Sequence, residues 1–270
     1  MKSITRKDLK GLYVPATDSH KGQNGRLLVI GGSHLFHAAS LWALEVASRI
    51  VDLVHYASVP ENNILVQEAK KQFRNGIVVS REDVDAYVEE DDAILIGPGM
   101  TRDDETRALT DRLLKKYPQK QWIIDAGALQ MMDIALIPPR AILTPHHQEF
   151  AGLWEREGKG AKSEEEKVRM FARAHRCIVL LKGQRDTASD GSTVRGITGG
   201  NAGMTKGGTG DVLAGLIAAL ACKNDAFLAT IAGSYINKKA GEALAKKVGV
   251  YFNASDLATQ VPQTMKAIVK

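Results

Sequence analysis

The sequence is poor in cysteine and aromatic residues and has no long hydrophobic run, and each scarcity counts against a class of protein. Its two cysteines, Cys177 and Cys222, lie far apart without C-x-x-C spacing, so neither a disulfide framework nor a thiolate zinc site is indicated. The longest apolar stretch, residues 212–222, is well short of the ~20 residues that cross a bilayer. We therefore expect no association with a membrane.

Charge of either sign is also unclustered. The 36 Lys and Arg residues are offset by 31 Asp and Glu residues, which leaves a net charge of +5 spread along the chain. Nucleic-acid-binding proteins cluster basic residues among aromatic ones, and aromatic residues here make up only 6%. We expect no nucleic acid partner, although a small anionic ligand fits the charge. Because no apolar leader opens the chain, we expect a cytoplasmic protein.

What the sequence does contain is an alternation of short apolar runs with longer amphipathic segments, from Arg26 onward. This pattern predicts parallel strands joined by crossover helices. Between residues 186 and 197, short polar pieces flank Asp190-Gly191, a hairpin dipeptide, which predicts a small antiparallel edge. No internal repeat or flexible linker divides the chain. The prediction is a single α/β domain over residues 1–270 with a central, mostly parallel sheet flanked by helices.

Glycines follow several of the predicted strands. They occur in Gly31-Gly32-Ser33, in Gly97-Pro98-Gly99, at Gly127 and at Gly183. In open α/β sheets, ligands bind at the carboxyl edge, where a backbone without Cβ atoms can approach phosphate closely. Several glycines at one edge therefore predict a binding site there.

The densest glycine cluster spans residues 199–210 and leads through Asp211 into an apolar helix. Free amides at a helix amino terminus, with the helix dipole, form an anion site that suits phosphate. Asp211 is then either a capping acid or a catalytic base, because phosphoryl transfer to an alcohol needs a proton acceptor. The cluster does not match the Walker A pattern, and residues 31–36 do not match G-x-G-x-x-G.

Gly208-Thr209-Gly210-Asp211 resembles the G-[TS]-G-D motif of the ribokinase-like superfamily. Within that superfamily, the chain resembles the ADP/ATP-dependent NAD(P)H-hydrate dehydratases over residues 25–220. The segments that carry the resemblance are Gly31-Gly32-Ser33 with Ala38-Ala39, Gly97-Pro98-Gly99, Asp125 to Leu129, Leu143 to His146 with Glu149-Phe150, and Lys182-Gly183 followed by Gly200 to Met204.

The resemblance implies a three-layer ribokinase-like fold and a lyase that repairs nucleotides. With ADP or ATP as co-substrate and Mg²⁺ as cofactor, it would dehydrate the S epimer of NADH hydrate or NADPH hydrate. The ring hydroxyl would be phosphorylated first, and phosphate would then be eliminated. Asp211 would accept the hydroxyl proton, while the amides of Gly208 and Gly210 would stabilise the transferred group. No acidic cluster in the sequence identifies the magnesium ligands.

The resemblance also implies two binding sites. The positions that match the dinucleotide site are Ala39, Gly99, His146, Asn201 and Asp211; those that match the adenine nucleotide site are Lys182, Gly183, Gln184, Arg185, Asp186, Thr209 and Gly210. The chain departs from the family pattern at residues 37–40, at residues 147–148 and after Gly183. The last departure leaves the preferred phosphoryl donor open.

Two further expectations follow from the resemblance. The protein would assemble as a homotetramer or a larger homo-oligomer, and epimerisation of the hydrate would fall to a separate enzyme or to spontaneous exchange.

One alternative to the dehydratase function is a small-molecule kinase of the same superfamily, acting on a hydroxyethylthiazole or hydroxymethylpyrimidine; Thr144-Pro145-His146 and Gly97-Pro98-Gly99 favour the dehydratase. Another is a non-catalytic nucleotide-binding regulator, which would have no use for Asp211 beside phosphate.

Overall fold

A single ten-stranded sheet forms the centre of the molecule in a computed structural model that describes residues 1–157, 160–161 and 163–269. The strands are β1 (Lys2–Ser3), β2 (Arg26–Ile30), β3 (Leu53–Ala57), β4 (Ile77–Val79), β5 (Ala93–Ile96), β6 (Gln121–Ile124), β7 (Ile142–Leu143), β8 (Ile178–Leu181), β9 (Asp186–Ser189) and β10 (Val194–Ile197). Their order across the sheet is β1-β10-β9-β8-β7-β6-β5-β2-β3-β4. The predicted mostly parallel sheet is confirmed.

The antiparallel pairing is confined to one side of the sheet, as predicted. Strand β9 pairs antiparallel with both β8 and β10, whereas the other neighbouring strands pair in parallel. Asp190 shapes the turn between β9 and β10, because its Oδ1 accepts hydrogen bonds from the amides of Ser192 and Thr193. The turn dipeptide therefore marks the hairpin correctly.

Helices cover both faces of the sheet. In the described residues they are α1 (Ala38–Ala47), α2 (Pro60–Ala69), α3 (Val84–Glu90), α4 (Asp104–Lys116), α5 (Ala126–Met131), α6 (His147–Glu157), α7 (Glu164–His175), α8 (Thr209–Ala221), α9 (Ala226–Val248) and α10 (Ala254–Ile268). Asp103 and Asn253 cap α4 and α10 by accepting backbone amides, as helix-starting residues of this type do. The short helices α3 and α5 were not predicted.

Alternating side chains of the central strands build two hydrophobic cores. In β2, Leu27 and Val29 pack with α1, α8, α9 and α10, while Leu28 and Ile30 pack with helices α3 to α7 on the other face. All four side chains are fully buried, as expected for parallel strands that are covered on both faces. The result is a three-layer architecture.

Among the described residues, no helix is both long enough and apolar enough to cross a membrane.

Candidate active site

A cleft of about 1080 Å³ opens where the glycine-rich loop 199–208 meets the carboxyl ends of the parallel strands. Many of the predicted site residues line it, namely His146, Lys182, Gly183, Gln184, Arg185, Asp186, Asn201, Thr209 and Gly210. These residues come from the segments that follow β7, β8 and β10, from the first residue of β9, and from the first turn of α8. The predicted nucleotide-binding residues are thus brought together in one cleft.

The amino terminus of α8 presents free backbone amides at this cleft. Gly208 precedes the helix in the left-handed region at φ 92°, where a Cβ would meet the ring of Trp42 and lie 2.7 Å from Ala254 Cβ. The Thr209 hydroxyl donates to the carbonyl of Met204 at 2.6 Å, which draws the preceding loop against the helix. Within the described residues, the amides of Gly208 and Gly210 make no hydrogen bond. This is the geometry of an anion site.

A lysine–aspartate ion pair and a threonine lie beside that helix terminus. Lys182 Nζ is 2.8 Å from Asp125 Oδ1, and the Thr144 hydroxyl donates to the same oxygen at 2.9 Å. A Cβ built on Gly210 would lie 3.6 Å from Lys182 Nζ, which places the ammonium group at the free amides. The amides and the ammonium group therefore converge on one point, where an anion would bind.

The electrostatics of this cluster shift the pKa values of Asp211 and Lys182. Burial, reinforced by the negative charge of Asp125, raises the pKa of Asp211 from 3.8 to about 7, although Lys182 opposes the shift. Burial alone would lower the pKa of Lys182, but the charges of Asp125, Glu149 and Asp211 outweigh it and raise that pKa above its usual value. Asp211 can thus exchange a proton near neutral pH, while Lys182 stays charged.

His146 sits at the mouth of the cleft with its side chain 47% exposed. Its backbone amide donates to Glu149 Oε2 at 2.8 Å, and its Nδ1 accepts from the Glu149 amide at 3.2 Å. Glu149 is itself nearly buried and accepts from Gln130 at 2.9 Å. Glu149 therefore fixes the loop that carries His146 and leaves the imidazole facing solvent.

The segment 182–186, which is predicted to bind the nucleotide, is held in place by Lys238 on α9. Lys238 Nζ donates to the carbonyls of Gly183 and Gln184 at 3.0 and 3.2 Å and pairs with Asp186 Oδ1 at 3.1 Å. The Asp186 carboxylate also accepts from the amide of Gly183 and from Ser234. Because these internal bonds engage both oxygens of Asp186, its side chain can act on a ligand only through the loop that it shapes.

The predicted dinucleotide-binding residues Ala39 and Gly99 lie together on the other side of the α8 terminus. A Cβ built on Gly99, which has φ 73°, would lie 3.1 Å from Ala39 Cβ. Trp42, three residues after Ala39 on α1, contacts Gly208. Asn201, in contrast, uses its side chain to cap the turn at 202–205 and to donate to the Gly241 carbonyl at 2.8 Å. Its amide orders the anion loop.

These features agree with the comparisons with known proteins. The NAD(P)H-hydrate dehydratase family model matches residues 27–263. The chain belongs to the NAD(P)H-hydrate dehydratase family. It is 33% identical to the ADP-dependent (S)-NAD(P)H-hydrate dehydratase of Nitrosopumilus maritimus, over 96% of this chain and 95% of that protein.

Longer family members contain this chain as one part. The bifunctional NAD(P)H-hydrate repair enzyme Nnr of Methanocaldococcus jannaschii is 36% identical over 96% of this chain, which covers 52% of that enzyme. The chain spans about half the length of the first four curated relatives that it matches, with coverage between 50% and 54%.

Solved structures confirm the ribokinase-like fold. A ribokinase-like superfamily protein from Enterococcus faecalis matches with a TM-score of 0.85 and 26% identity, over 99% of this chain and 96% of that one. The ADP/ATP-dependent NAD(P)H-hydrate dehydratase of Bacillus subtilis, co-crystallised with ATP and Mg²⁺, matches with a TM-score of 0.83 and 23% identity, over 99% and 98%. At that identity the second match establishes the fold.

The predicted site lacks four side chains that the structure brings into it, although three of them, Asp125, Thr144 and Glu149, lie in segments that carry the family resemblance. Asp125 and Thr144 directly follow β6 and β7, so their position at the carboxyl edge of the sheet was a usable signal. Glu149 lies one turn into α6, and Lys238 lies in the middle of α9. No pattern in the sequence marks Lys238, because its partners are more than fifty residues away.

The carboxylates fit the needs of a divalent cation. In the described residues, the one group of three close metal-ligating side chains is His55, Glu90 and Asp91, near the opposite edge of the sheet. At the cleft, Asp125 Oδ2 has no hydrogen-bond partner in the described residues, and Glu149 lies close enough to influence Asp211. Mg²⁺ is bound in proteins by one or two carboxylates together with substrate phosphates. Asp125, with its free Oδ2, supplies such a donor.

Proposed function

We propose that this chain uses ADP or ATP to dehydrate the S epimer of NADH hydrate or NADPH hydrate. The observation that carries the proposal is a buried carboxyl, Asp211, whose pKa is about 7, beside free helix amides and Lys182. Such a carboxyl would be a poor partner for a phosphate that merely binds, but a suitable acceptor for an alcohol proton. Relatives named for this reaction support the assignment.

In the proposed first step, the Asp211 carboxylate removes the proton from the hydroxyl group of the hydrated ring. The hydroxyl oxygen bonds to the terminal phosphorus of the nucleotide, and the bond from that phosphorus to its bridging oxygen breaks. The amide of Gly210 donates to the transferred group, while the ammonium of Lys182 balances its charge. Asp125 would hold Mg²⁺, which neutralises the phosphate charge when bound.

In the second step, the ring nitrogen's electron pair expels inorganic phosphate from the neighbouring carbon. Loss of a proton from the adjacent ring carbon then restores the double bond of the dihydronicotinamide. The net products are NAD(P)H, phosphate, a proton and the nucleotide shortened by one phosphate. The chain's part here is to hold the ring, for which we propose Ala39, Gly99 and His146, with Asn201 shaping the loop.

The nucleotide site is proposed at Lys182, Gly183, Gln184, Arg185, Thr209 and Gly210, with Asp186 supporting it. Arg185 lies at the surface with its guanidinium group against Gly196, at the edge of the same cleft. Residues 1–270 would form one domain, since a single sheet runs through the described chain.

We further propose a cytoplasmic homotetramer or larger assembly. Leu35, Phe36, Ile64 and Leu65 are between 43% and 68% exposed on the loop after β2 and on α2, two elements that His34 and Glu61 link. Exposed apolar side chains gathered in this way are typical of protein interfaces. A separate epimerase, or spontaneous exchange between the epimers, would supply the S epimer.

The test is to supply hydrated NADH with ADP or ATP and Mg²⁺ and to follow the near-ultraviolet absorbance of NADH. Recovery of the absorbance is expected. A stable phosphoester without NADH would indicate a kinase, and no turnover with either nucleotide would refute the proposal.

His146→Ala should raise the KM for the hydrate and leave the KM for the nucleotide unchanged, whereas the exposed His20→Ala control should change neither.

A further inference from the structure

Asn237 is a buried polar side chain that faces the cleft without a partner. It lies on α9, is 4% exposed and lines the cleft. Its Oδ1 is buried and makes no hydrogen bond, and its amide nitrogen makes none with any described residue. Because an unpaired buried amide is costly, native proteins keep one mainly where a ligand or water completes it.

The helix pairing places Asn237 relative to the anion site. Helices α8 and α9 run antiparallel through a short turn, and a Cβ built on Gly233 would lie 3.4 Å from Ile217 Cα. One turn further along, Asn237 lies across from Leu213, which also lines the cleft one turn beyond Gly210. Helix rise and spacing put Asn237 about 10 Å from Gly210. That is the reach of a nucleoside whose terminal phosphates lie at Gly210.

The surroundings of Asn237 suit a flat heterocyclic base. Leu213 is 5% exposed and Met204 is partly buried, so together they offer an apolar wall. The neighbouring charges are already paired, because Lys238 binds Asp186 and the carbonyl of Gly183. Asn237 is therefore a buried polar group at this wall whose side-chain amide is available to bind a ligand.

We propose that Asn237 recognises the adenine base of the nucleotide. Its Oδ1 accepts from the exocyclic 6-amino group, and its Nδ2 donates to N7, the two-point pairing by which Asn reads adenine. Guanine and hypoxanthine carry an oxygen acceptor at position 6, which would oppose Oδ1. The inference rests on the proposed function in one respect, that this cleft is the ADP or ATP site.

The experiment measures dissociation constants by calorimetry for ADP, GDP, IDP and 7-deaza-ADP. The wild type should bind ADP about tenfold more tightly than each of the other three, because each loses at least one of the two hydrogen bonds. Asn237→Leu keeps a side chain of similar volume. In this variant, the affinity for ADP should fall about tenfold, and the dissociation constants of the four ligands should become nearly equal.

The matched control is Gln184→Leu, since Gln184 is an exposed amide in the same cleft. It should change the four affinities by similar factors and keep the preference for ADP. An Asn237→Leu protein that still prefers ADP, or a wild type without preference, would overturn the proposal. The analogue series on the wild type needs no variant, so a wild type without preference would overturn the proposal even if Asn237→Leu fails to fold.

Failure of the proposed dehydration is separable from this result. An adenine preference that depends on Asn237, without recovery of NADH, would refute the proposed reaction and leave base recognition standing. Recovery of NADH by a protein that binds the four nucleotides equally would support the proposed reaction and refute base recognition by Asn237.

Discussion

Asp211→Asn should abolish turnover while making the ligand-free protein more stable. The substitution removes the proton acceptor and keeps the shape of the side chain. General base catalysis contributes roughly 10²- to 10⁴-fold, so kcat should fall by at least about a hundredfold. The assay is the recovery of NADH absorbance from its hydrate with saturating ADP and Mg²⁺.

The effect on stability follows from the raised pKa. A carboxyl whose pKa is 3.8 in the unfolded chain and about 7 in the folded protein opposes folding increasingly as pH rises through that window. The full difference corresponds to about 4 kcal/mol above pH 7 and to about 1.7 kcal/mol at pH 5. Asp211→Asn should therefore gain up to about 4 kcal/mol in the free energy of unfolding at pH 8, and less at pH 5.

Chemical denaturation at pH 5, 6.5 and 8 measures this gain. The matched control is Asp104→Asn, an exposed carboxylate in the first turn of α4, which should alter neither activity nor the pH dependence of stability. Wild-type turnover in Asp211→Asn would refute the role as base. A variant that is destabilised at pH 8 would refute the argument that burial and Asp125 raise the pKa of Asp211.

Three further substitutions test the support of the site. Lys182→Met should weaken ADP binding and cost about 3–5 kcal/mol of stability in denaturation experiments, because it leaves Asp125 buried without its partner. Gly208→Ala should cost at least about 1–3 kcal/mol and lower kcat, since the left-handed backbone disfavours a side chain and Trp42 occupies the space; unchanged stability would contradict the stated geometry. Lys238→Met should raise the KM for ADP and destabilise the fold by a similar amount to Lys182→Met, whereas the half-exposed neighbour Lys239→Met should cost under about 1 kcal/mol.

The sequence predicts the central layer of the fold well. The continuous apolar runs 93–96 and 178–181 predict two strands, and β5 and β8 have these same bounds. Helix boundaries are predicted less accurately. The apolar spacing from Ala38 predicts a helix to Val51, whereas α1 ends at Ala47, and the apolar run after Asp211 predicts a start at Val212, whereas α8 begins at Thr209. Helix α3 was missed, since its seven residues bury only Val84 and Val88 and carry little periodic signal.

The candidate site was predicted in its backbone and only partly in its side chains. Glycines that need left-handed backbone, such as Gly208 and Gly99, can be read from local sequence because their constraint is local. The contacts of Lys238 with the segment 182–186 cannot be predicted in this way, because Lys238 lies 55 positions from Gly183 in the sequence. Asp186 shows the difference. The motif predicts that it binds the nucleotide, whereas in the structure its carboxylate is bonded to Lys238, Gly183 and Ser234.

By itself, the sequence determined the parallel sheet, the glycine-rich loop and the position of Asp211 next to an apolar helix. Each of these follows from short-range patterns of hydrophobicity and backbone freedom. Only the tertiary structure decided that Lys182 would lie between Asp125 and Gly210, and that the pKa of Asp211 would rise to about 7. Burial and charge act through distances in space, which spacing along the chain does not contain.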